Sequence, residues 1–212
     1  NGDGFTELSR ISGQTAGLRG YIKTGLYSKL SFEYHHLQEF RRGGDNLSLP
    51  PHEAMIAEQT DHGINTGGVK FDWFSPDQKH RINSFLSLQH INRESYYGAN
   101  KNPNAYGMTT DLTWVGGAQY VYKADKCIFM PSDLTLGLEY NEDYLKDNAW
   151  GYNRVTDQTV RIVSLYAQNE WKNKKWGILL GGRLDKHNLI KGLIFSPRAN
   201  LRYNPSENVN FR

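Results

Sequence analysis

The segment Phe195–Arg212, "FSPRANLRYNPSENVNFR", decides how this chain is read. Phe195, Pro197, Ala199, Leu201 and Tyr203 alternate with Ser196, Arg198, Asn200 and Arg202. A period of two sends successive side chains to opposite faces of a strand, so one face is apolar and the other charged. Such a strand separates an apolar medium from a wet one. A proline inside it removes a ladder donor, which predicts that Pro197 sits at the strand's beginning or at a bulge. Beyond the "NPSEN" turn a further strand begins near Asn208, and the sequence stops inside it at Arg212.

The same alternation recurs upstream. In "DLTLGLEYNED" Leu134, Leu136, Leu138 and Tyr140 oppose Thr135, Gly137, Glu139 and Asn141. "GGVKFDWF" sets Val69, Phe71 and Trp73 against Lys70 and Asp72, and "WGILLGGRLDKH" sets Trp176, Ile178, Leu180 and Leu184 against Gly177, Gly181, Arg183 and Asp185. Ten such segments are expected, near 15–23, 30–40, 63–74, 81–93, 111–122, 133–144, 159–171, 176–187, 194–203 and from 208 onward. The fourth, "RINSFLSLQHINR", is the least regular, because Phe85 and Ile91 fall on its polar face. Most segments exceed the five or six residues usual for globular strands and suit tilted spans of a bilayer.

Composition narrows the choice. The 212 residues are 38% hydrophobic yet 13% aromatic, which suggests amphipathic strands more than a thick dry core. A net charge of +3 is too mild to argue for nucleic acid as a partner. One cysteine, Cys127, leaves no disulfide framework and no multi-thiolate metal site. No run approaches the roughly 18 apolar residues of a membrane-spanning helix. What remains is a soluble β-sandwich, such as a lectin- or adhesin-like binding module, or part of an outer-membrane barrel.

The connections favour the barrel. Short turns at "KTGLYSK", "SPDQK", "KADKCIFMPS", "KNKK" and "NPSEN" alternate with longer links over 41–62, 94–110, 145–158 and 188–193. Hairpins throughout would put every short turn at one end of the sheet and every long loop at the other, as in outer-membrane barrels. Tyr27, Trp73, Phe74, Tyr120, Tyr122, Phe129, Trp171, Trp176 and Tyr203 lie beside the short turns, while Tyr34, Phe40 and Tyr140 or Tyr144 lie toward the other end. Two interfacial girdles would place aromatics this way, although Tyr and Trp also suit strands anywhere.

The stretch "GGRLDKHNLIKGLIFSPRANLRYNPSENVNFR" resembles the mid-barrel signature of TonB-dependent outer-membrane receptors, in which a "GxRxD" strand end precedes a loop, "fSPR", an alternating strand and an "NP" turn. "EFRRGGD" with "LPPHEAMIAEQTDH", and "SYYGANKNPNAYGMTTDLTWVGGAQY", resemble the branch of colicin/ferrienterochelin and cobalamin receptors. The resemblance implies an all-β, antiparallel up-and-down meander of about 10 strands, part of a 22-strand transmembrane barrel. Residues 1–212 are then expected to be a partial barrel domain cut from a longer chain, without plug, TonB box or closing strands. The family further implies the outer membrane of a Gram-negative bacterium, lipid around the wall, and a TonB energy-transducing complex acting through the plug. Its cargo would be an external small molecule, a siderophore-iron, haem or cobalamin-like ligand. A glycan importer of the same superfamily is the nearest alternative.

Ligand recognition is expected in the longer links. Arg41 and Arg42, with His52 in "PPHEA", offer charge-assisted bonds to an anion, or else form a solvated loop held by pairs such as Arg42 with Asp45. "PPHEAMIAEQ" predicts one or two helical turns, Pro51 suiting the first. Tyr96, Tyr97 and Tyr106 suit stacking on a flat ligand, or packing within the loop. "NPNA" resembles a box near the haem-ligating histidine of haem receptors, but its companion box is missing. No metal site is expected: His35 and His36 point to opposite faces, and the acidic "EDYLKDNAWGYNRVTD" does not have EF-hand spacing. No nucleophile elbow, phosphate cradle or acid–base pair stands out, so neither enzyme activity nor a cofactor is expected.

Overall fold

A computed structural model describes residues 8–206 and 209–211. The start of the expected tenth strand at Asn208 lies outside the described residues. The chain forms one sheet of ten strands: β1 (Arg10–Gly25), β2 (Ser28–Gly44), β3 (Ile56–Phe74), β4 (His80–Ala99), β5 (Tyr106–Cys127), β6 (Met130–Ala149), β7 (Arg154–Lys172), β8 (Trp176–His187), β9 (Ile194–Ser206) and β10 (Val209–Phe211). Each strand pairs with its sequence neighbours, and every pairing is antiparallel. The meander is as expected.

Directly paired residues share a face, so the register sorts every side chain. One rung reads Ser28, Trp73, Ile82, Tyr120, Leu136, Ala167, Gly182, Pro197. The next reads Leu30, Phe71, Ser84, Ala118, Leu138, Leu165, Leu184, Phe195. The opposite face carries Lys70, Asn83, Gln119, Gly137, Glu139, Arg183 and Arg198. The two faces read from "FSPRANLRY" therefore extend across the sheet.

Among the described residues nothing covers the apolar face. Among the described residues the buried hydrophobic ones are only Ala54, Ala57, Tyr96 and Ala105, whereas Leu138, Leu165, Leu180 and Leu201 are each more than half exposed. A soluble sandwich would bury such a face under a second sheet. The single layer here removes that alternative.

The strands are longer than alternation predicts, reaching 22 residues in β5 and 20 in β4 and β6. Most of the excess lies at the long-link end, although β5 also runs five residues further at the other. Of the expected long links, 41–62 shortens to 45–55, 94–110 to 100–105 and 145–158 to 150–153. Past the apolar band polar residues occur on both faces, so the period-two signal fades while the hydrogen-bond ladder continues. Above Leu88, for example, β4 presents His90, Asn92 and Glu94 on the apolar side's register.

Smaller corrections follow from the same geometry. Only Pro51–Glu53 forms a 3₁₀ turn in "PPHEAMIAEQ", since Ile56 onward already belongs to β3; a second 3₁₀ turn covers Trp150–Tyr152. Pro197 is the fourth residue of β9, paired with Gly182 in an unshifted register, so there is no bulge. Phe74 leaves the aromatic girdle: it follows Trp73 directly, faces the polar side and lies 5.2 Å beneath the Arg81 guanidinium. Phe85 does sit on the polar face, where its ring lies against Gly117 across the pair. Tyr166 lies over Gly137 in the same way, and a Cβ there would come within 2.1 Å of its ring. Its hydroxyl continues to Gln119 Oε1 at 3.0 Å.

Candidate functional site

At the long-link end the two central loops interlock. Asp45 Oδ1 accepts from the Ile56 amide at 3.0 Å and Oδ2 from the Met55 amide at 3.3 Å. These bonds, the Ile56 one first, hold the Asp45 carboxyl below its ordinary value, with Met55 and the nearby Arg42 charge adding to the effect. Gly44, at φ +102°, allows the chain to turn here; a Cβ would lie 2.1 Å from the Ile56 carbonyl oxygen. The 100–105 loop then docks on this one through Asn100 N–H to Met55 O at 2.7 Å and Lys101 N–H to Ala54 O at 3.2 Å.

The six residues expected to contact ligand divide at this point. Tyr96 is fully buried against Ala54, Ala57 and Ala105, and its hydroxyl donates to Asn102 O at 2.9 Å. Tyr106 packs edge-on to it at 4.9 Å and meets His52 Nδ1 at 2.7 Å. Arg42 is 2% exposed, donating to the Gly43 carbonyl and, at 3.3 Å, to the Asp45 carbonyl. Tyr96, Tyr106 and Arg42 carry the register of the apolar face, and together with His52 they form the packing that ties the two loops. The Arg42–Asp45 pair anticipated from sequence exists, through the Asp45 backbone.

Arg41 and Tyr97 point the other way, on the polar face, and remain 56% and 44% exposed. They border a groove of about 600 Å³ with Glu39, Glu58, His62 and Arg93. Glu39, His62 and Arg93 form one rung that continues to Thr109 and Asp147. Arg41 Nε meets Glu39 at 2.7 Å, and Arg93 donates to Thr109 Oγ1 at 2.8 Å while lying 3.6 Å from Asp147. Arg154 holds the other Asp147 oxygen at 3.0 Å. Acidic and basic side chains thus interleave along the rung, and the Tyr97 ring stands beside them. His62, Glu58 and Arg93 were missed in sequence. Carrying the parity of Val69–Phe71–Trp73 and of Leu86–Leu88 along their strands would have placed all three on the polar face.

Further down the polar face, Arg183 joins Glu139 at 2.9 Å, Asp185 at 2.8 Å and Ser164 at 2.7 Å, across β6, β7 and β8. At the short-turn end the apolar side carries Trp73, Tyr120, Tyr122, Trp171, Trp176 and Tyr203. Trp176 stacks on Tyr203 at 4.3 Å and Phe129 on Trp171 at 5.6 Å. Tyr34, Phe40, Tyr140 and Tyr144 share that face toward the other end.

A one-layer antiparallel wall, apolar on one face and charged on the other, with aromatics at both margins of its apolar band, has the architecture of a β-barrel wall. The family model described as "TonB dependent receptor-like, beta-barrel" matches residues 8–212, and the chain belongs to that family. No curated protein matches the chain. Among solved structures it is similar to the siderophore receptor PirA of Pseudomonas aeruginosa, at 13% identity and TM-score 0.72, over 93% of this chain and 31% of that one. It is similar to a mutant of the ferric enterobactin receptor PfeA of Pseudomonas aeruginosa, at 17% and 0.75, over 95% and 32%. It is also similar to the outer membrane transporter YddB of Escherichia coli, at 9% and 0.72, over 92% and 30%. The chain spans about a third of the length of these structures.

Proposed function

We propose that these residues are part of the wall of an outer-membrane receptor that captures a scarce small-molecule nutrient and imports it with energy from TonB. The observation that carries this reading is the uncovered apolar face backed by a polar groove at the long-link end. In a Gram-negative outer membrane the apolar band meets lipid, the aromatic margins sit at the two interfaces, and the polar face lines the interior. β1 and β9 have long stretches with one neighbour among the described residues, and such edges are stable in a barrel once further strands pair with them. A plug and those further strands would lie elsewhere in the same protein. The short turns then face the periplasm and the groove faces arriving cargo.

The groove suits an anionic, partly flat ligand such as a siderophore–iron complex, with haem or a cobalamin-like molecule as relatives of that chemistry. Arg41 has guanidinium nitrogens beyond the one committed to Glu39, and Tyr97 supplies an exposed ring. The test uses the complete receptor in cells. Arg41→Ala with Tyr97→Ala should weaken surface capture of the cargo by about tenfold, the value of one charge-assisted bond. The weakened binding should also lose part of its salt dependence. Lys174→Ala with Lys175→Ala, in the opposite turn, should leave capture unchanged. Capture that survives the first pair and fails with the second would mean that the ends are assigned upside down.

A further inference from the structure

The polar face carries one rung that does not match it. Leu37, Ile64 and Ile91 pair directly across β2, β3 and β4, with the parity of Glu39 and Lys70. Ile91 is one of the two residues that made β4 the least regular strand in sequence; across the sheet it belongs to a set. All three are half-buried. Leu37 and Ile64, with Ile11, line the groove that Arg41 and Tyr97 border. Beyond Ile91 the rung meets Asp111 and then Leu145.

The rungs on either side are polar. Toward the long links run Glu39, His62 and Arg93, and toward the short turns His35, Thr66 and Gln89. Each lies about 7 Å away along the strands, so the aliphatic strip is one residue tall and about 10 Å long across three strands. A hydrocarbon chain laid along such a strip covers the aliphatic side chains and leaves the polar rungs wet. A ring system or a broad packed surface would overlap those rungs and desolvate groups it cannot all satisfy. Anion donors stand directly above: Arg93 has an Nε–H without a hydrogen-bond partner among the described residues, and Arg41 has nitrogens beyond the one at Glu39.

We propose that the groove takes an amphiphilic cargo, an anionic chelate head at Arg41 and Arg93 bearing an acyl tail that lies along Leu37, Ile64 and Ile91. The tail then runs across the strands, one rung deeper than the head. Charge complementarity places the head, and the shape of the strip selects a chain over a ring. This cargo class rests on the groove being the capture site, as proposed above, and narrows what is captured there.

The test uses the complete receptor in lipid nanodiscs, with empty nanodiscs as the blank. It is titrated with two ferric catecholate chelates of identical head, one without a tail and one bearing an octanoyl tail, and binding is read by tryptophan fluorescence quenching. The tail should raise affinity by about 15-fold, the transfer of two methylenes out of water. Leu37→Thr with Ile64→Thr should remove that gain and leave the tailless chelate within about twofold of wild type, the loss being confined to the tail's contacts. Should the pair not fold, as judged by heat-modifiable migration, Ile64→Thr alone takes its place and should lower the gain to about fourfold, one methylene remaining. Ile162→Thr, on the polar face of β7 and outside the groove, should keep the gain. Equal affinity of the two chelates for the wild type, a gain undiminished in the folded threonine variants, or a gain lost in Ile162→Thr each overturns the proposal. So does an equal loss of both chelates in the threonine variants, the pattern of a rung that packs against the plug. A wild type that binds neither chelate overturns the capture reading beneath it; one that binds both alike overturns the tail alone.

Discussion

Replacing Leu136 with arginine should destabilise the complete receptor in a bilayer by about 2–4 kcal/mol, a factor of roughly 30 to 700 in the folding equilibrium. Leu136 pairs with Tyr120 and Ala167 on the apolar face. On β7 the run on that face extends from Trp171 to Val163, and Ala167 is its middle member. Four residues to either margin, at about 3.3 Å each, give about 13 Å along the strand. A tilt near 40° turns that into about 10 Å of depth on each side. A guanidinium at this level must climb most of a leaflet to reach water, and snorkelling relieves only part of the cost. Ser87 provides the control: it is exposed, lies beside Leu86 and Leu88, and carries the opposite parity, paired with Gly68 and Val115. Ser87→Arg should change stability by no more than about 0.5 kcal/mol. Gly137 faces the same way but is unsuitable, because any side chain there displaces the Tyr166 ring. The assay is urea-dependent refolding into lipid vesicles, read by heat-modifiable migration. Equal costs at 136 and 87, or a larger cost at 87, would refute the face assignment.

Two further outcomes follow from the loops and the polar face. The Asp45 carboxyl is held below its ordinary value, chiefly by the Ile56 amide, so its stabilisation of the loop is present above about pH 4 and is lost as pH falls through the depressed value. Hydrogen exchange at the Met55 and Ile56 amides should therefore lose protection on acidification in the wild type, while Asp45→Asn should show less protection at neutral pH and a flatter pH dependence; an acid response unchanged in Asp45→Asn would refute the assignment. Arg183→Met removes the shared donor of Glu139, Asp185 and Ser164 and should cost about 1–3 kcal/mol in the same refolding assay, with Arg183→Lys recovering only part because an ammonium cannot reproduce the guanidinium fork. A full recovery by lysine would reduce the cluster to simple charge balance.

Alternation made the wall legible wherever one face meets an apolar medium and the other does not. That contrast writes period two into Val69–Trp73, Leu134–Tyr140 and Phe195–Tyr203, and it is why β8 was placed at Trp176–His187 from sequence. Above the band the contrast disappears. Residues such as Gln59, Asp61 and Glu94 are polar whichever way they point, so the upper ladders of β3, β4 and β5 were read as loop. The direction of Tyr96 and Tyr97, or of Arg41 and Arg42, depended on a parity set many residues away and on whether the strand continued without a bulge. Tertiary structure decided both. The unshifted register puts Tyr97 and Arg41 at the groove, and the docking of loop 100–105 on loop 45–55 buries Tyr96 and Arg42 while Tyr97 and Arg41 stay exposed. Local sequence can state that a strand has two unlike faces; only pairing across the sheet determines which residues share one, because the rungs join positions far apart in the chain.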